Sequence, residues 1–143
     1  SPQVKVLDDT YNANVASVNA AIDTLATFSG RRILVLGDMA ELGEKARYYH
    51  EQVGQYAQRR GIDNLFTLGV LSQSASEFYG AHGFHFDSVE NLVDALQAEL
   101  SSEHRDISIL VKGSRSSKME RVVEAIEVSP LGKLDRRRER VAC

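Results

Sequence analysis

The sequence predicts an α/β domain, and three observations carry that expectation. A β-rich run, a polar or glycine turn and a segment with apolar residues at helical spacing follow one another five times along the chain. Their strict alternation calls for a mostly parallel sheet of five or six strands with helices on both faces, a Rossmann-like three-layer domain. At 143 residues, with 43% hydrophobic residues and only two prolines, the chain is the size of one domain and can bury a real core.

The first strand is placed at Val4–Leu7, and Val15, Val18, Ile22 and Leu25 form one face of the helix after it, closed by Gly30 at a C-cap position. Ile33–Leu36 follows as a strand, then a helix from about Glu44 to Arg60 that stops at Gly61. Leu65–Leu68 precedes a short helix over roughly Leu71–Tyr79, ended before Gly80. After Phe84–Phe86, Asp87 or Ser88 opens a helix that buries Val89, Leu92, Val93 and Leu96, with Glu90 as the capping-box partner of Asp87. Ile107–Val111 is the fifth strand, and Met119, Val122, Val123 and Ile126 are in phase for the last helix. Residues 1–128 are expected to form the domain and 129–143 a basic, flexible tail.

The formal charge of −3 hides an asymmetry, because Lys133–Arg140 carries five basic and two acidic residues and leaves −6 on the rest. An acidic body argues against nucleic acid as a partner. No apolar run approaches the roughly 20 residues of a membrane span. The chain opens Ser1-Pro2-Gln3 and runs straight into a strand, which gives no sign of a signal peptide. Its only cysteine is Cys143, so neither an internal disulfide nor a thiolate metal cluster is expected, and a cytoplasmic location is.

Open α/β sheets bind ligands beyond the carboxyl ends of their strands, and three turns there are unusually polar. "KGSRSSK" (Lys112–Lys118) sets Lys112 and Arg115 beside Gly113 and three serines where a helix begins, a setting suited to a carboxylate or phosphate. "GDMAELGE" (Gly37–Glu44) reads two ways: a turn capped by Asp38 with Met39 and Leu42 as an apolar plug, or Asp38 and Glu41 holding an ammonium group or a metal-bound water. "DDTYNAN" (Asp8–Asn14) supplies carboxylates, amides and a phenol fit for a base or ribose hydroxyls. His50 has no second His or Cys at metal spacing and reads as a packed or hydrogen-bonded histidine; no metal site is expected. Neither Gly-x-Gly-x-x-Gly nor Gly-x-x-x-x-Gly-Lys-Ser/Thr occurs, so the chain brings no phosphate loop of its own.

Taken together, "DDTYNAN", "VLGDMAELGE" with His50 and Gly54 downstream, and "ILVKGSRSSKMERVV" resemble in order and spacing the C-terminal domain of the Mur ligases, over residues 4 to about 128. The nearest branch is the one that adds D-alanyl-D-alanine to UDP-N-acetylmuramoyl-tripeptide. Val15 departs from the proline frequent after "NAN" in that family, and the resemblance offers no role for the tail. It implies a three-domain cytoplasmic enzyme of peptidoglycan synthesis whose central domain holds ATP and Mg2+ and whose C-terminal domain closes over them with the incoming dipeptide. Asp9, Tyr11, Asn12 and Asn14 would then contact the adenosine. Lys112, Gly113, Ser114, Arg115 and Ser116 would receive the dipeptide carboxylate, and Asp38 would help orient it. No catalytic residue is expected within the chain, which alone should be inactive. Two alternatives remain: another ligase of the superfamily, such as a folylpolyglutamate synthetase, or a stand-alone nucleotide-binding α/β domain.

Overall fold

The fold was obtained as a computed structural model, which describes residues 2–133 and 135–140. In chain order the main elements are β1 (Gln3–Asp9), α1 (Val15–Ala26), β2 (Arg31–Gly37), α2 (Ala46–Arg59), β3 (Asn64–Leu68), α3 (Gln73–Tyr79), β4 (Gly83–Phe86), α4 (Val89–Leu100), β5 (Ile107–Lys112), α5 (Glu120–Val128) and β6 (Asp135–Arg140). The strands lie in the order β4-β3-β2-β5-β1-β6, and every pairing is parallel.

Side chains alternate across a strand, so a strand covered on both faces must be apolar throughout. In β2, Ile33 and Val35 join one apolar cluster with Leu92, Leu96, Val122 and Ile126 of α4 and α5. Leu34 and Leu36 join the opposite cluster with Val18 and Ile22 of α1, Val53 of α2 and Ala75 of α3. Three helices therefore cover one face and two the other. Gly54 lets α2 cross α3 closely, since a Cβ there would meet the backbone of Ala75.

Several local expectations are corrected. β1 continues through Asp8 and Asp9, which are strand residues only 2% exposed. α1 ends at Ala26 with Thr27 as C-cap; Gly30, at φ 82, instead turns the chain into β2. A 3-10 turn over Gly43–Lys45 precedes α2. Ser88, not Asp87, caps α4 by accepting the Asn91 N–H at 3.1 Å. Where the sequence suggests a tail, the backbone of Asp135–Arg140 pairs with Gln3–Asp8 as a sixth strand. Backbone pairing asks nothing of side-chain hydrophobicity, and charged residues suit a sheet edge. Leu134 and residues 141–143 of the expected tail, Cys143 included, lie outside the described residues.

Candidate functional site

β1, β2 and β5 are neighbours, so their three polar turns meet at one end of the sheet. Gly37 and Gly113 end adjacent strands, and a Cβ on either would run into the Met119 side chain and the Ser117 hydroxyl. The absence of those two Cβ atoms lets the chain before α5 fold down over the strand ends.

Lys112 lies opposite Asp9 in the β1–β5 register and is fully buried. Its Nζ donates to Asp9 Oδ2 at 2.9 Å and to the Asn12 carbonyl at 2.9 Å. This ammonium fastens the first turn to the fifth strand and has no surface left to solvent. Beside it the Thr10 hydroxyl donates to Asp8 Oδ1 at 2.7 Å. A buried ion pair gains little net stability over an apolar pair, but losing one partner strands the other charge, which makes it a strong positional constraint.

Asp38 braces the second turn. Its carboxylate accepts the N–H groups of Val70 at 3.0 Å and Ser72 at 2.8 Å, while its carbonyl accepts the Ser114 N–H at 3.1 Å and the Ser114 hydroxyl at 2.8 Å. The turns after β2, β3 and β5 are thus tied to one residue. Burial by itself would raise the Asp38 carboxyl, yet hydrogen bonds from the Ser72, Val70 and Leu71 backbone and the Ser72 side chain hold it below the usual carboxylate range.

His50, on α2, is fully buried; its Nε2 accepts the Met39 N–H at 2.9 Å and its Nδ1 lies 2.7 Å from the Ala46 carbonyl. A carbonyl can only accept, which makes Nδ1 the protonated nitrogen and His50 a support beneath the second turn. Met39 is also fully buried, in the plug position that the packing reading assigns it.

The remaining site residues divide by exposure. Gly113 and Ser114 are buried, while Arg115 and Ser116 are exposed on a 3-10 turn that separates β5 from α5. That turn displaces the helix N-terminus, where the sequence suggested α5 would begin directly. The Arg115 guanidinium sits 4.9 Å from the centre of the exposed Tyr11 ring, a cation–π stack between turns that the sequence assigned to different ligands. Asn14 is spent on the α1 N-cap, its Oδ1 accepting the Ser17 N–H at 2.8 Å, and Asn12 Oδ1 accepts the Ala13 N–H at 2.9 Å. Tyr11 and the amide edges of Asn12 and Asn14 are therefore what the first turn offers outward.

Two grooves cross this surface. One of about 280 Å3 runs between Asp38, Gly69, Leu71, Ser116 and Arg121. The other, of about 210 Å3, is bounded by all three turns through Asn12, Ala40, Glu41, Ser114, Arg115 and Ser116. A wider depression of about 510 Å3 lies to one side along α4 and α5, without a residue of these turns. Among the described residues no group of three or more His, Cys, Asp or Glu stands where one metal ion could take them. Sequence reasoning did not assign Arg121 to the site or His50 as its support. Both depend on how distant segments pack, and local spacing carries no signal of that.

Fold and site together define a doubly wound α/β domain that gathers polar turns at the strand ends without a phosphate loop. The chain belongs to the Mur ligase, glutamate ligase domain family, whose match spans residues 1–115. It is 47% identical over 122 residues to the UDP-N-acetylmuramoyl-tripeptide–D-alanyl-D-alanine ligase of Escherichia coli K12, covering 85% of this chain and 26% of that protein. To the enzyme of the same name from Bacillus subtilis 168 it is 35% identical over 133 residues, or 90% of this chain and 29% of that one. The chain thus spans about a quarter of the length of such relatives. Among solved structures, MurF from Acinetobacter baumannii superposes with a TM-score of 0.76 at 28% identity, over 84% of this chain and 26% of the other. MurF ligase from Thermotoga maritima in complex with ADP superposes with a TM-score of 0.68 at 28% identity, over 82% and 26%.

Proposed function

We propose that this chain is the C-terminal domain of an ATP-dependent amide ligase that joins D-alanyl-D-alanine to UDP-N-acetylmuramoyl-tripeptide in the cytoplasm, a step of peptidoglycan precursor synthesis. The carrying observation is the meeting of three polar turns over one groove around Arg115, which has no carboxylate partner among the described residues. The identity with ligases of that name supports the substrate assignment. ATP, held with Mg2+ by the remainder of the protein, would supply the phosphoryl group that activates the tripeptide carboxylate. Tyr11, Asn12 and Asn14 would border its adenosine.

Within this chain the work is binding and orientation. Arg115 and the Ser116 hydroxyl hold the dipeptide carboxylate, which survives the reaction and must stay fixed while the amine attacks. Lys112 and Asp9 position the two turns without touching either ligand, and Asp38 does the same for the turns after β2, β3 and β5. With no phosphate loop, the isolated chain turns over no ATP. The ligand-facing turns lie within residues 1–128, and the described part of 129–143 adds β6 at the sheet edge.

Steady-state kinetics on the complete protein tests this reading. A charge-assisted hydrogen bond to a partly desolvated carboxylate is worth about 1.5–3 kcal/mol, so Arg115→Ala should lower kcat/KM for D-alanyl-D-alanine roughly 10- to 150-fold. The ATP and UDP-tripeptide constants should hardly change. Because Arg115 rests on Tyr11, Tyr11→Ala should weaken use of both dipeptide and ATP. An Arg115→Ala variant with an intact dipeptide constant would remove the assignment.

A further inference from the structure

We infer that Glu41 is the ammonium-recognising residue of this site, so that the groove of about 210 Å3 takes its small ligand as a zwitterion, carboxylate toward Arg115 and ammonium toward Glu41. This rests on the dipeptide reading above and adds the group that the second turn contributes to it. Two independent observations carry it.

The first is charge placement. Glu41 and Arg115 border the same groove from different turns, yet neither has a hydrogen bond or ion pair to a protein group among the described residues; Arg115 has only its contact with the Tyr11 ring. The charged groups beneath the groove are engaged, Asp38 on backbone N–H groups and Lys112 on Asp9, and the Asn12 amide and Ser116 hydroxyl at its border are neutral. What is left at the groove is one cation and one anion. A free dipeptide of two alanines carries the opposite charge at each end and nothing else that ionises. A groove smaller than the roughly 300–1,000 Å3 of drug-sized sites suits such a ligand.

The second is backbone conformation. Glu41 has φ 59, in the left-handed region that glycine, asparagine and aspartate enter more readily than glutamate. Gly43, two residues on, has φ 70 in open space, so this turn does use glycine for that geometry. Backbone strain is therefore stored at the position that puts a long carboxylate side chain at the border of the groove. Lys118, the other non-glycine with positive φ among the described residues, borders neither groove.

The complete protein is assayed with D-alanyl-D-alanine as substrate and N-acetyl-D-alanyl-D-alanine, which keeps the carboxylate but replaces the ammonium with a neutral amide, as inhibitor. Glu41→Gln should lower kcat/KM for the dipeptide about tenfold and leave the inhibition constant of the acetylated compound unchanged. Arg115→Ala should weaken both. Glu41→Gly serves as the folding control: glycine relieves the left-handed strain, so its Tm should hold or rise while dipeptide use falls as in Glu41→Gln. If Glu41→Gln leaves dipeptide use intact, or weakens dipeptide and acetylated compound alike, the ammonium role is overturned while the dipeptide reading stands. If the unaltered protein does not consume D-alanyl-D-alanine at all, the functional reading itself falls, and this inference with it.

Discussion

The two ends of the sheet treat charge in opposite ways. At the amino end, the Arg31 guanidinium meets Glu99 at 2.7 Å and Glu103 at 3.1 Å and donates twice to the buried Asn64 Oδ1. Arg32 reaches Asp63 and the carbonyls of Ala26 and Gly61. Hydrogen bonds from Arg105, and then from Arg31, hold the Glu103 carboxyl far below the usual range. Tyr79 donates to the Ile62 carbonyl, and burial pushes its hydroxyl up to about 12. At the carboxyl end, Lys112 and Asp38 are fully engaged, but Arg115 and Glu41 are left facing a groove. Charges that satisfy one another hold the fold, and those kept without a protein counter-charge at strand ends are available to a ligand.

Three measurements would break or sharpen that contrast. The largest effect is expected at Lys112, which lies at the ligand end but is paired like a residue of the other. Lys112→Met should destabilise the chain by about 3–5 kcal/mol, because Asp9 stays buried without its ammonium. Arg115→Ala, in the following turn, should stay within about 0.5 kcal/mol of wild type in urea denaturation. Equal losses would erase the distinction between engaged and available charge. The double variant Lys112→Met/Asp9→Asn should recover part of the stability.

Next comes Arg31→Ala, which leaves the buried Asn64 oxygen without its donors and should cost about 2–3 kcal/mol. Dipeptide use by the complete protein should stay at its wild-type level, and a selective loss there would tie the amino end to function. The smallest effect concerns Asp38. Its folded carboxyl is held below the unfolded value, so its contribution is fully present above about pH 3.9 and is lost as pH falls through the lowered folded value. Asp38→Asn keeps one acceptor oxygen but sets an amide NH2 against the other backbone N–H, and should remove about 1–2 kcal/mol near neutrality. The gap to wild type should close in acid, as followed by thermal melts from pH 7 to pH 2. A gap that widened there would mean that the carboxyl is not held low.

The strands and helices were legible because burial on two faces writes continuous apolar runs and 3.6-residue periods into sequence. Strand order was not, since no local pattern tells β5 to enter between β1 and β2. That order decides the fate of Lys112. Read locally it is a lysine at a strand end beside serines; in space it faces Asp9, 103 residues away, and is consumed. The contact between Tyr11 and Arg115 was hidden for the same reason, since nothing local sets the distance between their turns. Asp135–Arg140 gave no strand signal because its charged residues lack apolar alternation. "GDMAELGE" supported two readings, and the structure divides them by residue: Met39 packs and Asp38 braces, leaving Glu41 at the groove.

The position of β1 has a consequence for the order in which the chain is completed. Its two neighbours in the sheet are β5 and β6, both made after it, whereas β2, β3 and β4 pair among themselves early. During synthesis β1 must wait for residue 107 before its first partner exists, a delay on the order of 5–20 s at about 5–20 residues per second. Until then Asp9 has no Lys112, and the turn that carries Tyr11 has nothing to rest on. The β1–β5 pairing is thus the one that assembles the ligand end, so a nascent chain gains its recognition surface only once β5 has been made. Pulse-labelled hydrogen exchange should find the β1 amides protected no earlier than those of β5, and earlier protection of β1 would contradict this sequence of events.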